Sequence, residues 1–132
     1  MRARVAAAVL AAVLAQPSTA QPVDCANPIT QTEMTACAER EWMTADADLN
    51  AAYAEARAAM RRIDAPLPET DRGAERMLRD AQRAWIDFRD KTCAAEGWAM
   101  KGGSAEPMLV YFCRARVTAA RAEELRAMAF EY

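Results

Sequence analysis

The sequence predicts an all-α protein, an up-down three-helix bundle held together by two disulfides. Apolar residues recur at steps of three and four along three long segments, which is typical of amphipathic helices. Glycine and proline are concentrated at a few places, between those segments. Four cysteines follow an N-terminal segment that has the features of an export signal. A chain of 132 residues is long enough for one such domain and too short for two.

The first helix is predicted from about Gln31 to near Arg62. Thr30 and Glu33 have the spacing of a capping box, which marks a helix start. Pro66 and Pro68 stop any helix shortly afterwards. The apolar stripe expected to face the core consists of Met34, Cys37, Trp42, Ala45, Leu49, Ala52 or Tyr53, Ala56 and Met60.

The second helix is predicted to begin near Thr70 and Asp71 and to end around Ala94. Its stripe consists of Met77 or Leu78, Ala81, Trp85 and Phe88. Two ion pairs at i,i+4 spacing are expected to support it, namely Glu75 with Arg79 and Asp87 with Lys91. Trp42, Trp85 and Phe88 have helical core spacing, so core packing is their predicted role.

The third helix is predicted to begin after Ser104, with Pro107 in its first turn. A loop with three glycines separates it from the second helix. Its stripe consists of Leu109, Phe112 or Cys113, Val117, Ala120, Leu125 and Met128.

Residues 1–20 have the three parts of a secretory signal peptide. Arg2 and Arg4 provide a positive start, residues 5–15 are apolar, and small residues precede a cleavage point after Ala20. The apolar run is too short to cross about 30 Å of hydrocarbon, so no membrane span is expected after cleavage. The residues before Cys25 do not resemble a lipidation signal. We therefore expect a soluble periplasmic or secreted domain, residues 21–132.

Cys25, Cys37, Cys93 and Cys113 are expected to form structural disulfides, the default in an exported chain. Three pairings are possible, and the sequence favours the local one, which joins Cys25 to Cys37 and Cys93 to Cys113. An up-down-up topology brings all four cysteines to one end of the bundle. It permits the local pairing and does not exclude a crossed one.

Composition weighs against several classes of function. The net charge of −2 is unlike that of a nucleic-acid binder, which needs a basic face. The absence of histidine removes His-based acid–base catalysis and most zinc chemistry. Serine occurs only at Ser18 and Ser104, so few positions could provide a serine nucleophile. We expect a binding or structural protein with no catalytic residues, no metal and no cofactor.

The cysteines and the polar residues around them resemble the LprI-like lysozyme-inhibitor domain family over Asp24 to Leu125. In the first half, the matching residues are Asp24, Cys25, Glu33, Met34, Cys37, Ala38, Ala45, Asp46, Leu49, Asn50 and Tyr53. In the second half, they are Gln82, Arg83, Ala84, Trp85, Ile86, Phe88, Arg89, Asp90, Cys93, Cys113, Thr118, Arg121 and Leu125. The resemblance implies a small, exported, disulfide-stapled helical protein that binds lysozyme or a related muramidase by occluding its cleft.

The segment between Cys93 and Cys113 is the first candidate contact with such a partner. If these cysteines pair, the segment is tethered at both ends, which lowers the entropic cost of binding. Trp98 and Lys101 would then act as an aromatic anchor and a cation facing the acidic catalytic groups of a lysozyme. The alternative is a flexible connector whose Trp98 folds back onto the core.

The polar residues of the matching motifs are the second candidate. They are Asp46, Asn50, Tyr53, Gln82, Arg83, Arg89, Asp90 and Arg121. We expect a structural network in which Arg89 and Arg121 pair with Asp46 or Asp90 and Tyr53 caps a carbonyl. A binding surface is the alternative. A glycosidase pair of carboxyl groups would need a cleft for which a small bundle has little room.

Without residues 1–20, the chain loses two arginines and no acids, so its net charge becomes −4. This charge would draw it toward a cationic lysozyme, although it equally serves solubility. The competing function is an envelope interaction or stress module that binds another envelope protein. Inhibition that competes with the glycan substrate would distinguish the two. The sequence leaves the oligomeric state open.

Overall fold

The computed structural model describes residues 22–131 and consists of three long helices with no strand in that range. Helix α1 is Gln31–Asp64, α2 is Ala74–Gly97 and α3 is Glu106–Glu131. Short 3₁₀ turns, Glu69–Asp71 and Trp98–Met100, lie in the two connections. The predicted all-α, three-helix fold is confirmed. The predicted signal peptide, residues 1–20, lies outside the described residues.

Helix α1 begins at the predicted capping box. The Glu33 backbone N–H donates to the Thr30 hydroxyl, and the Glu33 carboxylate accepts from the Thr30 backbone N–H at 2.8 Å. The helix continues to Asp64, two residues beyond the predicted end.

Helix α2 starts at Ala74, later than the prediction at Thr70 and Asp71. Residues Glu69–Asp71 form a separate 3₁₀ turn, and the N-terminal N–H groups of α2 find their acceptor on another helix. The Asp64 carboxylate accepts from the backbone N–H groups of Gly73 at 2.9 Å and Ala74 at 3.0 Å. A cap from a distant residue leaves no local signal, which is why the predicted start was wrong.

Both disulfides have the local pairing. Cys25 joins Cys37, and Cys93 joins Cys113, so no cysteine in the described range is free. The second disulfide is fully buried and links α2 to α3, whereas Cys25 is exposed.

Helix α1 packs mainly on α3, and α2 lies against both. Small side chains on α1 and α3 allow this close approach, because alanine lets helix backbones come near each other. The core cluster consists of Leu49, Ala52, Ala56, Met60, Leu78, Ala122 and Leu125.

The predicted apolar stripe of α2 is wrong in part. Phe88 is 59% exposed and Ala81 is exposed, while Trp42 and Trp85 are half-buried. The side of α2 that faces the core carries polar groups whose hydrogen bonds are made within the bundle. Its buried residues are Leu78, Gln82, Arg89, Cys93 and Gly97.

Three other details of the sequence prediction differ in the structure. On α3, Ala120 and Phe112 are exposed, and the buried positions are Cys113, Ala115, Thr118, Ala122 and Leu125. Glu75 does not pair with Arg79.

Glu75 instead accepts from Arg57 Nε at 2.9 Å and Arg61 at 3.0 Å, and Arg79 turns to Asp80. Glu75 therefore pairs with two arginines on α1 and not with Arg79 on its own helix. No ion pair within 4.0 Å joins Asp87 to Lys91 in the described part of the chain.

Candidate functional site

The connection between α2 and α3, the 98–105 loop, is held at both of its ends. The Cys93–Cys113 disulfide ties the last turns of α2 to the second turn of α3. Gly97 is buried at the end of α2, and a Cβ there would lie 2.5 Å from Val110 Cγ2. The two helices therefore approach closely at the base of the loop.

Hydrogen bonds within the loop hold it in a single turn conformation. The Glu106 carboxylate accepts from the Gly102 backbone N–H at 2.7 Å, and the Gly103 N–H donates to the Met100 carbonyl at 2.8 Å. Gly102 has a φ of +77°, a conformation that favours glycine. The Gly102 N–H and the Lys101 ammonium lower the pKa of Glu106, because both stabilise its carboxylate form.

The loop brings Trp98 and Lys101 together, as the prediction of a contact site requires. Trp98 is 64% exposed, so it does not fold back onto the core. The Lys101 Nζ lies 4.7 Å from the centre of the indole ring, a cation–π distance. It also contacts the Glu106 carboxylate at 2.9 Å, so the lysine charge is partly matched within the loop.

Arg89 is the centre of the predicted polar network. Its side chain is 8% exposed and contacts Asp46 on α1 at 3.5 Å and Asp90 on α2 at 3.0 Å. The guanidinium lies 5.7 Å from the ring centre of Trp42 and 5.3 Å from that of Trp85. Arg89 is thus an inter-helix contact that combines ion pairs with two aromatic rings.

The other predicted members of the network are divided among several places. Asn50 donates to the Asp46 carboxylate at 3.3 Å and belongs to the Arg89 cluster. Arg121 forms a separate contact, donating to the Gln82 side-chain oxygen at 3.1 Å and to Glu124 at 2.8 Å. The expected pairing of Arg121 with Asp46 or Asp90 is therefore wrong.

Tyr53 and Arg83 belong neither to the contacts around Arg89 nor to those around Arg121. Tyr53 is half-buried against the core cluster, with the Arg57 guanidinium 5.9 Å from its ring centre. In the described residues, no hydrogen bond from its hydroxyl to a carbonyl is present, in contrast to the expected cap. Arg83 is exposed on α2.

Tyr111 and Arg114 on α3 extend the Arg89 cluster in a way that the sequence analysis missed. Tyr111 stacks on Trp42 with 5.7 Å between ring centres and donates to Glu39 at 3.1 Å, and Glu39 raises the pKa of its phenol. The Arg114 Nε lies 3.4 Å from the Asp90 carboxylate. These residues are distant in sequence, and their helical spacing alone does not distinguish them from ordinary core and surface positions.

A groove beside the Cys25–Cys37 disulfide was also not predicted. It has a volume of about 420 Å³ and is mostly apolar, with Arg40, Glu41 and Thr44 on one part of its lining. Its apolar residues come from three separate segments, the N-terminal arm, α1 and α3. They are Pro28, Met34, Met108 and Phe112.

Residues 22–131 contain neither a cluster of metal-binding side chains nor a helix suited to a membrane. In that range, no three histidine, cysteine, aspartate or glutamate side chains are grouped so that they could hold a metal ion. None of the described helices is both long enough and apolar enough to cross a membrane.

The 98–105 loop presents an exposed aromatic side chain, Trp98, on a restrained backbone, which suits recognition of a protein partner.

Comparison with known proteins gives a family match and two relatives. The model of the family described as "Lysozyme inhibitor LprI" matches residues 24–125. An uncharacterized protein, R02472, from Rhizobium meliloti strain 1021 is 40% identical over 131 residues, covering 96% of this chain and 94% of the relative. The uncharacterized protein YecT from Escherichia coli K12 is 38% identical over 58 residues, 43% of this chain and 36% of that protein.

One solved structure has a similar fold. It is a crystal structure of a DUF1311 family protein from Pseudomonas putida KT2440, with a TM-score of 0.67 and 27% identity. The match covers 78% of this chain and 97% of the Pseudomonas chain.

Proposed function

Because this chain belongs to the LprI lysozyme inhibitor family, we propose that it is exported and inhibits a lysozyme by placing its 98–105 loop in the catalytic cleft. Inhibition in this proposal is steric and involves no catalysed reaction. The observation that carries the proposal is the exposed Trp98 on a loop that is braced before any partner binds.

A braced loop suits tight binding for an entropic reason. A flexible loop must be ordered when it binds, and that ordering opposes association. Here the Cys93–Cys113 disulfide and the Glu106 hydrogen bonds already restrict the loop in the free protein. Large aromatic side chains such as Trp98 are the residues that contribute most to interfaces of this kind.

Lys101 supplies the electrostatic part of the proposal. The catalytic cleft of a lysozyme carries two carboxyl groups. Lys101 is held against Trp98 and Glu106, so the cation and the aromatic ring would reach the cleft as a unit. Because Glu106 already balances much of this charge, we expect Lys101 to contribute less to affinity than Trp98.

Net charge would act at longer range. Without residues 1–20, the chain has a net charge of −4, which attracts a cationic lysozyme and speeds association at low ionic strength. Salt should therefore slow association without abolishing inhibition, because contacts made by Trp98 are apolar.

The test is inhibition of peptidoglycan lysis by the oxidised protein purified after export. Lysozymes of the c, g and i types are each assayed over a range of inhibitor concentrations at two ionic strengths. We expect dose-dependent inhibition of at least one type, competitive with the glycan substrate. Circular dichroism establishes that the protein used is folded and helical.

Variants of the loop then locate the contact. We expect Trp98→Ala to raise the inhibition constant about 10- to 100-fold, and Lys101→Ala to raise it less. Phe130→Ala is the matched control, because Phe130 is an exposed aromatic residue at the far end of α3. It should leave the inhibition constant unchanged.

Two results would contradict the proposal, one its contact surface and the other its partner. Full inhibition by both loop variants would mean that another surface contacts the lysozyme. A folded protein that inhibits none of the three types would mean that the partner is a different component of the envelope.

A further inference from the structure

One side of α2 carries an apolar face that the three-helix fold does not use. This α2 face consists of Met77, Ala81, Ala84, Phe88 and Ala95, which follow one another at helical spacing and are all exposed. Met77 is 66% exposed and Phe88 is 59% exposed. The small alanine side chains between them leave shallow depressions beside each large residue.

The core-facing side of α2 is a different set of residues, so the α2 face is not a poorly packed part of the core. Leu78, Gln82, Arg89 and Cys93 point into the bundle and are buried. On a helix, these positions lie about 120° around the axis from the α2 face. Large exposed apolar residues grouped on one helix side are typical of protein contact surfaces.

A row of charged residues borders the α2 face along one edge. Arg76, Asp80, Arg83, Asp87 and Lys91 are exposed and follow at steps of three and four. Basic and acidic residues alternate along this row. Asp80 already contacts Arg79 at 3.1 Å, but both side chains are about half exposed, and pairs of this kind contribute little to stability.

The face and its charged edge are complementary to themselves when two α2 helices lie antiparallel. In that arrangement, residues equally far from the midpoint of contact meet, and the same edge of each helix lies beside its counterpart. A midpoint at Trp85 places Phe88 close to Ala81 and Met77 close to Ala95 of the other copy, because both pairs are centred within one residue of Trp85. Each large side chain then meets a small one.

The same midpoint pairs the charges correctly. Asp80 of one copy meets Lys91 of the other, and Arg83 meets Asp87. Each pair occurs twice because the arrangement is two-fold symmetric. In a parallel two-fold arrangement the charged edge of each helix would lie beside the opposite edge of the other helix, so these four charged residues would not meet one another.

We propose that two copies of this chain associate through their α2 faces, antiparallel, to form a symmetric homodimer. The proposal does not depend on the identity of the inhibited enzyme. Antiparallel α2 helices place the two 98–105 loops at opposite ends of the dimer. Each dimer therefore carries two separate copies of the proposed lysozyme contact, and dimerisation leaves both accessible.

Sedimentation equilibrium of the oxidised exported protein tests the proposal. A single helix face buries a small area, below about 1,200 Å² in total, so we expect a reversible dimer with a dissociation constant in the micromolar range. The average mass should rise from that of one chain to that of two as protein concentration increases.

Substitutions on the face identify the interface. Phe88→Asp should raise the dimer dissociation constant at least about 10-fold, because it places a charge at the centre of the contact. Met43→Asp is the matched control, since Met43 is 63% exposed on α1 and lies outside the α2 face. It should leave dimerisation unchanged.

A charge exchange tests the antiparallel register. Asp80→Lys and Lys91→Asp should each weaken the dimer, because each places like charges opposite one another. The double variant restores opposite charges and should recover dimerisation. Recovery is specific to this register, since a merely destabilised protein would not be rescued by a second substitution.

Three outcomes would overturn the proposal. They are a monomer at every concentration, a dimer that Phe88→Asp leaves intact, and a double variant that is no better than the singles. Lysozyme inhibition by Phe88→Asp is measured in parallel. Loss of dimerisation with retained inhibition is expected, so failure of this proposal is distinguishable from failure of the proposed function.

Discussion

The carboxylate of Asp64, in the last turn of α1, accepts a hydrogen bond of 2.9 Å from the backbone N–H of Gly73, immediately before α2. The same carboxylate also accepts from Ala74 and Glu75. One side chain in the last turn of α1 therefore caps α2 and links the two helices across the turn between them. The N–H groups of Gly73 and Ala74 hold the pKa of Asp64 below its ordinary value of 3.8.

Asp64→Ala is expected to lower the melting temperature at pH 7, because the first N–H groups of α2 lose their acceptor. Glu69→Gln is the matched control, since Glu69 is exposed in the same connection. It should have little effect. Equal losses in both variants would contradict the role of Asp64 as a cap.

The same carboxylate makes stability depend on pH in a definite direction. Because the pKa of Asp64 is lower in the folded state, its stabilisation is fully present above the unfolded value of 3.8 and is lost as pH falls through the folded pKa. Thermal unfolding measured from pH 7 downward should show a smaller decline in Asp64→Ala than in the wild type. Parallel declines would mean that Asp64 has the same pKa in both states.

Gly97→Ala is expected to destabilise the protein by about 1–3 kcal/mol, because the new methyl group overpacks the contact between α2 and α3. The clash is with Val110 Cγ2, 2.5 Å from the added Cβ. The backbone at Gly97 is α-helical, so alanine itself introduces no strain. Chemical denaturation with both disulfides intact measures the change.

Val110→Ala provides the control for that prediction. It removes the clashing atoms, so the double variant should be less destabilised than the sum of the two single variants. Simple additivity would show that the cost at Gly97 does not come from Val110.

Arg89→Met is expected to reduce the free energy of unfolding by about 1–3 kcal/mol, because it removes the contacts with Asp46 and Trp42 that join α1 to α2, together with those to Asp90 and Trp85 on α2 itself. The cost is moderated by the partners Asp46 and Asp90, which are each about two-fifths exposed and regain water. Tryptophan fluorescence should also change, since Trp42 and Trp85 flank the guanidinium.

Arg83→Met serves as the comparison for Arg89, because Arg83 is exposed on the same helix. Surface substitutions of this kind change stability by about 0.5 kcal/mol or less. If Arg89→Met were no worse than Arg83→Met, the cluster would not hold the helices together.

The two disulfides are expected to differ in reactivity. Cys25 is exposed, whereas Cys93 and Cys113 are fully buried, so a mild thiol reductant should open Cys25–Cys37 first. Alkylation followed by mass spectrometry identifies which cysteines react. Earlier labelling of Cys93 or Cys113 would contradict the difference in access.

Replacing each pair by alanine should separate their contributions to stability. Cys93–Cys113 closes a loop with a sequence separation of 20 and links two helices, so its loss should cost about 3 kcal/mol. Cys25–Cys37 ties a short arm to α1, and its loss should cost less.

The candidate loop could be predicted from the sequence only in part. Trp98 and Lys101 stand between two cysteines, and that placement indicated a tethered loop. The exposure of Trp98, and the pairing of Lys101 with Glu106, depend on how the turn closes around Gly102. No local pattern encodes that closure.

Local chemistry explains what the sequence by itself determined about this protein. Helical periodicity, the capping box at Thr30 and the breaks at Pro66 and Pro68 depend on neighbouring residues, so the three helices were predictable. The local disulfide pairing could likewise be proposed from the sequence, because each of its two bonds joins cysteines that are close along the chain.

Only the tertiary structure decided which side of α2 faces the core. Hydrophobic spacing favoured Phe88, but the bundle buries Arg89, because Asp46, Asp90 and two tryptophans from the neighbouring turns and helices satisfy its guanidinium. The start of α2 was likewise decided by Asp64 on another helix. In both cases α1 supplies a deciding partner for a residue of α2, and the free energy of burying a polar group depends on whether such a partner is present.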